Sequence, residues 1–208
     1  MLTNIPNLLT LSRIVSIPLI ILTFYIDYPY GNWIGVGVLA YAGVTDFFDG
    51  YVARVMSQQS AMGKFLDPIA DKLLVGALLV MLVAFDRIPG FAVLPAVIIL
   101  CREILVSGLR EFLSEVKISV PVSRLARWKT ALQMITLGFL ISGSAGPMFG
   151  PLSTTEVGVI GLWIAALLTL MTGYDYLRVG LRHVEKMDAE RIKENSEGPD
   201  APPATRKN

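Results

Sequence analysis

The sequence predicts an all-α integral membrane protein, a six-transmembrane-helix bundle with a polar metal site near the cytoplasmic side. Hydrophobic residues make up 53% of the 208 residues and charged residues only 17%, whereas about a quarter of a soluble domain is charged. Six apolar stretches approach the ~20 residues that a helix needs to cross a bilayer. Lys and Arg collect on one side of those stretches. The composition therefore excludes a disordered chain, a coiled coil and most soluble enzymes.

The six apolar stretches follow one another along residues 1–181, which we assign to one membrane domain. An Asp-Tyr-Pro-Tyr-Gly turn follows the first stretch, Ile-Pro-Gly follows the third, and a run rich in Gly, Pro and Ser follows the fifth. Charged connections follow the second and the fourth. Residues 182–208 are charged and then Pro-rich, which predicts a short amphipathic extension and a disordered cytoplasmic tail. The predicted spans are residues 5–26, 33–55, 70–85, 91–113, 131–144 and 157–177.

The distribution of basic residues predicts the orientation of the spans. The connection after the third span carries Arg87, and those after the first and fifth spans carry no Lys or Arg. The connections after the second and fourth spans, and the region after the sixth, are rich in both. The positive-inside rule therefore places both termini in the cytoplasm. Since no cleavable signal or Arg-rich transit peptide is evident, we expect a multi-pass protein of a bacterial cell inner membrane.

The rarity of two residue types limits the possible sites. Cys101 is the single cysteine, so it has no internal disulfide partner, and His183 is the single histidine, so no multi-histidine metal site can form. The net charge of +1 lacks the basic excess of a nucleic-acid-binding protein. We therefore expect no nucleic-acid partner, and we expect carboxylates to hold any metal.

Four aspartates lie in or beside the second and third spans, where an isolated Asp costs about 2.5–3.5 kcal/mol at a helix centre. Asp46 and Asp49 are three residues apart. Asp67 and Asp71 are four residues apart, so each pair shares one face of its helix. Two adjacent helices could bring the pairs together around hard cations, and oxygen ligands favour Mg²⁺ or Mn²⁺ over zinc. The pattern predicts a carboxylate metal site at the cytoplasmic ends of these spans.

Small and cationic residues lie between the aspartates. Gly50 and Gly63 let a ligand approach the helix backbone closely, and Ala53 keeps the same side small. Arg54, one turn beyond Gly50, can pair with phosphate. The alternative is that the aspartates are ordinary charges solvated at helix ends. The interleaved Gly, Ala and Arg favour a site for a phosphorylated ligand.

This stretch resembles the signature of the CDP-alcohol phosphatidyltransferase family. Residues 4–10, followed by Arg13, resemble the amino-terminal segment of the same family. The resemblance covers most of residues 4–180. Each signature position is present at the family's spacing, namely Asp46, Asp49, Gly50, Ala53, Arg54, Gly63, Asp67 and Asp71.

The resemblance implies a fold, a reaction and two metal ions. Members of this family transfer the phosphatidyl group of a CDP-linked lipid to an alcohol and release CMP. They are six-helix membrane bundles, usually homodimers, whose site opens to the cytoplasm. By the same resemblance, Asp46 and Asp67 would share two Mg²⁺ or Mn²⁺ ions. Asp49 would complete one ion and Asp71 the other, and Asp71 is the expected general base for the acceptor hydroxyl.

The resemblance also implies which residues contact the CDP-lipid. Two of them, Asn7 and Thr10, have ordinary alternatives: Asn7 could cap a helix, and Thr10 could be a small polar residue without a ligand. The expected contacts are Gly50, Ala53, Arg54, Ser60, Gly63, Asn7 and Thr10.

Basic residues outside the signature predict an acceptor that carries a phosphate group. Arg102 and Arg110 are about two turns apart on the fourth span and share a face. Arg127 and Lys129 lie just before the fifth span. Together these cations face the predicted acidic metal site, which suggests that the acceptor is itself anionic. A phosphate group is the simplest such anion. We therefore predict that these four residues bind the acceptor phosphate.

Two of these cations have structural alternatives. Arg102 lies in an apolar run and is costly there unless it is paired. It could pair with Glu103 or Glu111, although adjacent residues diverge on a helix and Glu103 is therefore expected to be a poor partner. Lys129 could be an ordinary anchor at the membrane surface.

The sequence around these cations resembles the branch of the family whose acceptor is glycerol 3-phosphate. The expected partners are then CDP-diacylglycerol, glycerol 3-phosphate and membrane lipid. One departure is Arg127, where that branch commonly has Lys. The family also includes enzymes that use serine, inositol phosphate or phosphatidylglycerol; the cations argue against serine but do not exclude inositol phosphate. A cation transporter is a remote alternative, because the chain has one Asp cluster and no second copy.

Overall fold

The computed structural model describes residues 5–55, 61–116 and 124–197 of the chain. Throughout these ranges the regular secondary structure is helical, apart from an isolated bridge between Phe149 and Leu152. Two single-turn 3₁₀ helices, Gly90–Ala92 and Gly143–Ala145, lie in the connections. The α-helices, α1 to α6 in chain order, are Ile5–Thr23, Tyr30–Val55, Ala61–Ala84, Val93–Glu115, Arg124–Ser142 and Thr154–Glu197.

The described residues confirm the predicted series of six helices, but several helices are longer than the apolar stretches. α3 begins at Ala61 rather than near residue 70, and α5 begins at Arg124 rather than near residue 131. Hydropathy marks only the apolar part of a helix, whereas the backbone hydrogen bonds continue through polar end residues. α6 continues to Glu197 and includes the start of the charged extension. Residues 198–208 lie outside the described residues.

Two helical segments of the described chain, Gly90–Glu115 and Thr154–Glu185, are long and apolar enough to cross a membrane. Leu8–Thr23 is a shorter apolar helix. Only 28% and 39% of the most apolar stretches of these two segments are buried, whereas the core helix of a soluble protein would be mostly buried. Large apolar side chains such as Phe91 and Leu167 also face outward. These surfaces indicate a membrane protein.

A capping box fixes the start of α6. The backbone N–H of Ser153 donates to Glu156 Oε2 at 2.7 Å, and the Ser153 hydroxyl donates to the same oxygen at 2.8 Å. In return, the backbone N–H of Glu156 donates to Ser153 Oγ at 3.2 Å. These reciprocal bonds satisfy backbone donors that the first helical turn leaves without partners.

The helices pack as two connected groups. α1 packs against α2 and α3, and α6 packs against α4 and α5. Contacts of α2 with α5, and of α3 with α4 and α5, join the two groups. Because α1 touches both α2 and α3, its polar residues near the amino end reach the last turns of α2 and the first turns of α3. The interior is filled by aliphatic side chains with no exposed surface, including Ile20, Leu78, Leu82, Ile99, Leu137, Leu140 and Leu162.

Gly31 allows α2 to begin directly against the end of α1. A Cβ at this position would lie 2.4 Å from the Thr23 carbonyl oxygen and 2.6 Å from the Ile26 carbonyl oxygen. Both are backbone atoms, which cannot turn aside as the end of a side chain can. For Gly37, farther along the same helix, no described atom beyond its own stretch of helix lies within 4 Å of the Cβ position.

We expect Gly31→Ala to lower the melting temperature of the purified protein in detergent, because the added methyl group would force α1 and α2 apart. Overpacking of this kind costs about 1–3 kcal/mol. Gly37→Ala is the matched control, and we expect it to be neutral or to stabilise by up to about 1 kcal/mol. Scanning fluorimetry measures both variants, and equal melting temperatures would contradict the close approach of the two helices.

Candidate active site

Two polar side chains of α1 bring together three of the predicted aspartates. Arg13 Nη2 lies 3.0 Å from Asp46 Oδ1 on α2, and Arg13 Nη1 donates to Asp71 Oδ1 on α3 at 2.9 Å. Thr10, one turn before Arg13, donates its hydroxyl to Asp67 Oδ1. The aspartates of α2 and α3 are therefore brought together by side chains of α1 that contact both helices.

The burial of these groups is uneven. The Arg13 side chain is 1% exposed, whereas the side chains of Asp46 and Asp71 are 52% and 50% exposed. Thr10 is also buried. The guanidinium and the hydroxyl thus lie beneath the carboxylates, which remain accessible from outside the bundle.

The donor set fits a hard divalent cation. The described donors Asp46, Asp67 and Asp71 are all carboxylates, and oxygen ligands suit Mg²⁺ and Mn²⁺. Within residues 5–55, 61–116 and 124–197, no three acidic, His or Cys side chains form a group that could hold a metal ion by themselves. Asp49, the fourth predicted ligand, has its backbone in α2, and its side chain lies outside the described residues.

The predicted CDP-lipid contacts are only partly within the described structure. Thr10 lies at the site, where it contacts Asp67, and Gly63 is buried in the first turn of α3. The other predicted contacts lie outside the described side chains. These are Asn7, Gly50, Ala53, Arg54 and Ser60, of which Ser60 is also outside the described backbone.

A second buried ionic cluster joins α4, α5 and α6. Lys129 of α5 forms a salt bridge with Glu103 of α4. Arg102 Nη1 lies 3.5 Å from the same carboxylate oxygen. Arg102 also donates from Nε to the Thr169 carbonyl at 3.1 Å and from Nη2 to Thr172 Oγ1 at 2.9 Å, both on α6. The side chains of Lys129, Arg102 and Glu103 are 4%, 11% and 18% exposed.

The structure therefore brings two of the four predicted acceptor cations together through Glu103. The expectation that Glu103 would be a poor partner of Arg102 is wrong, because Arg102 and Lys129 both contact the same carboxylate oxygen of Glu103. The buried and paired Lys129 also does not resemble a solvated surface anchor. Arg110 lies farther along α4 and is exposed, and the Arg127 side chain lies outside the described residues.

Sequence reasoning missed the contacts of Arg13 and Glu103. Arg13 lies in the apolar first span, and the cost of an unpaired charge there could have pointed to a partner. The candidates for Arg13 were the aspartates of the neighbouring spans, but their pairing depends on how α1 packs against α2 and α3.

Comparison with known proteins places these features in a family. The sequence profile of the CDP-alcohol phosphatidyltransferase family matches residues 3–171. A Rickettsia bellii protein called CDP-diacylglycerol–glycerol-3-phosphate 3-phosphatidyltransferase is 52% identical, over 84% of this chain and 94% of its own. Proteins with the same name from Pseudomonas fluorescens and Cereibacter sphaeroides are 40% and 36% identical, over 91% and 88% of this chain and 96% and 97% of their own.

The profile match spans helices α1 to α5 and the first part of α6, and it includes all the ionised side chains of both polar clusters. The relatives extend the similarity over most of the chain at identities well above the level at which a fold is shared. This chain belongs to the CDP-alcohol phosphatidyltransferase family.

Proposed function

We propose that this protein transfers the phosphatidyl group of CDP-diacylglycerol to glycerol 3-phosphate, giving phosphatidylglycerol phosphate and CMP. The observation that carries the proposal is identity of 36 to 52% to enzymes named for this reaction, over at least 84% of this chain. The carboxylate cluster supports it, because the reaction requires charge neutralisation at a pyrophosphate and a base for a hydroxyl.

The family depends on divalent metal ions. In our proposal two ions, Mg²⁺ or Mn²⁺, are held by Asp46, Asp49, Asp67 and Asp71. When bound, such ions neutralise the charge of the pyrophosphate and of the departing CMP. The half-exposed carboxylates of Asp46 and Asp71 support this assignment, since their oxygens remain accessible above the buried Arg13.

Asp71 is the proposed general base of the reaction. It would accept the proton of the acceptor hydroxyl as that oxygen attacks the phosphorus atom next to the diacylglycerol. A P–O bond forms to the acceptor, and the bond from that phosphorus to CMP breaks. The expected CDP-lipid contacts are Asn7, Thr10, Gly50, Ala53, Arg54, Ser60 and Gly63, and the position of Thr10 beside Asp67 supports its place in this set.

Arg102, Arg110, Arg127 and Lys129 are the proposed acceptor-phosphate residues. The observed contacts suggest a division between them. Arg102 and Lys129 are buried and hold Glu103, so they fix the relative positions of α4, α5 and α6 and give this end of the bundle positive charge. Arg110 is exposed on α4 and is free of those contacts, which favours it for direct binding of a soluble phosphate ester.

The proposed setting is the bacterial inner membrane, with six spans, both termini in the cytoplasm and a homodimeric assembly. Outward-facing apolar side chains on the helices, among them Leu22, Val80, Ile104 and Ile164, support a surface that membrane lipid covers. Asp46 lies in the second half of α2, and Asp67 and Asp71 lie in the first half of α3, so all three are in the halves next to a predicted cytoplasmic connection. The water-soluble acceptor would thus enter from the cytoplasm.

We expect purified protein in detergent to release CMP from CDP-diacylglycerol and Mg²⁺ only when glycerol 3-phosphate is present. Parallel reactions contain serine, inositol phosphate or phosphatidylglycerol as the acceptor. Release with one of these instead would retain the family and reject the proposed acceptor. No release with any acceptor, from folded protein that binds CDP-diacylglycerol, would contradict the enzymatic proposal.

We expect Asp71→Asn to reduce transfer by about 100-fold or more, because an amide cannot accept the hydroxyl proton. Binding of CDP-diacylglycerol should remain. The matched control is Asp86→Asn, an exposed position between α3 and α4 with a positive φ of 54° that Asn also adopts. Acceptor-dependent CMP release and CDP-lipid binding are measured on both variants. Loss of lipid binding by folded Asp71→Asn protein would make Asp71 an organiser of the ligand instead of the base.

A further inference from the structure

Arg13 is a buried cation that contacts Asp46 and Asp71, both predicted metal ligands. Its guanidinium comes from α1 and contacts Asp46 of α2 through Nη2 and Asp71 of α3 through Nη1. The side chain is 1% exposed, and the two aspartate side chains are about half exposed. The guanidinium therefore lies on the inner side of the carboxylates, and their outer side is accessible.

In this arrangement the guanidinium and the two carboxylates stabilise one another. A guanidinium inside an apolar helix bundle is costly unless it is paired, and the carboxylates supply its counter-charge. The two carboxylates, from different helices, would repel each other without a cation between them. Arg13 thus connects α1, α2 and α3 at the site through a single side chain.

We infer that Arg13 is a positioning residue of the metal site, which holds Asp46 and Asp71 together in the metal-free protein and weakens their attraction for divalent cations. The inference rests on the proposed metal role of these aspartates. The weaker attraction for divalent cations follows from charge. The guanidinium partly neutralises the two carboxylates, and it repels any cation bound to them.

A variant that lacks the Arg13 charge should therefore have lower stability without metal and higher affinity for divalent cations. Without Arg13 the metal-free protein loses the connection between three helices and becomes less stable. The same variant presents carboxylates that are no longer neutralised, and it binds divalent cations more tightly. An arginine that served only to hold the helices together would show the first effect and would not tighten metal binding.

The test compares Arg13→Gln with the original protein, both purified in detergent with Mn²⁺ present and then stripped with a chelator. Thermal unfolding in chelator reports the stability of the metal-free protein. Titration with Mn²⁺ alone, followed by electron paramagnetic resonance of the free ion, reports the Kd. We expect a lower melting temperature in chelator and a Kd for Mn²⁺ that is tighter by about 10-fold or more, given the closeness of the charges.

Arg87→Gln is the matched control. Arg87 also links helices, since Nη1 donates to the Ile141 carbonyl at 3.2 Å and Nη2 donates to Asn32 Oδ1 at 3.3 Å. It lies at the opposite end of the bundle from the aspartates. We expect its loss to lower the melting temperature and to leave the Kd for Mn²⁺ unchanged.

Arg13→Lys separates charge from geometry and covers the case in which Arg13→Gln does not fold. A single ammonium keeps the charge but cannot replace the fork that reaches both carboxylates. We expect a lower melting temperature in chelator and a Kd within about threefold of the original. Melting temperatures equal to that of the original protein would overturn the inference.

The remaining outcomes are distinct. Mn²⁺ binding by Arg13→Gln that is unchanged or weaker, while the original protein binds Mn²⁺, would overturn the role of Arg13 and leave the proposed function intact. An original protein that binds no Mn²⁺ would overturn the metal role of the aspartates and this inference with it. Folding of Arg13→Gln only when Mn²⁺ is present would support the inference, because the ion then replaces the missing cation.

Discussion

The architecture depends on one constraint, which is that an ionised side chain within an apolar helix bundle requires an opposite charge close by. Arg13 satisfies this constraint for α1, and through Asp46 and Asp71 it links the three helices that meet at the site. Thr10 adds a contact to Asp67. The aspartates proposed to bind metal are therefore held near one another by contacts with α1, two of them with the buried guanidinium of Arg13.

The same constraint operates in the second half of the bundle. Glu103 is shared by Lys129 and Arg102, and Arg102 also donates to α6, so three helices are joined by one ionic cluster. The two clusters differ in the sign of their net charge. Carboxylates outnumber cations in the cluster on α2 and α3, and cations outnumber carboxylates in the cluster on α4 and α5. An anionic acceptor that approaches the cation-rich cluster would come beside the carboxylates that are proposed to hold the metals.

The sequence predicted those parts of the structure that depend on local patterns. Apolar stretches predicted the six helices, and the spacing of four residues predicted that Asp67 and Asp71 share one face of α3, where both contact polar side chains of α1. The starts of α3 and α5 were missed, because polar residues there are helical without being apolar. The partners of Arg13 and Glu103 were missed for another reason. These contacts join residues far apart in the chain, and they depend on the rotation and packing of whole helices.

The central claim is that the aspartates of α2 and α3 form the metal site, and anomalous diffraction from crystals grown with Mn²⁺ tests it most directly. Our account predicts two anomalous peaks, both bounded by Asp46, Asp49, Asp67 and Asp71, above the guanidinium of Arg13. Mn²⁺ peaks that occur elsewhere in the protein, with none between these aspartates in crystals saturated with the ion, would contradict it.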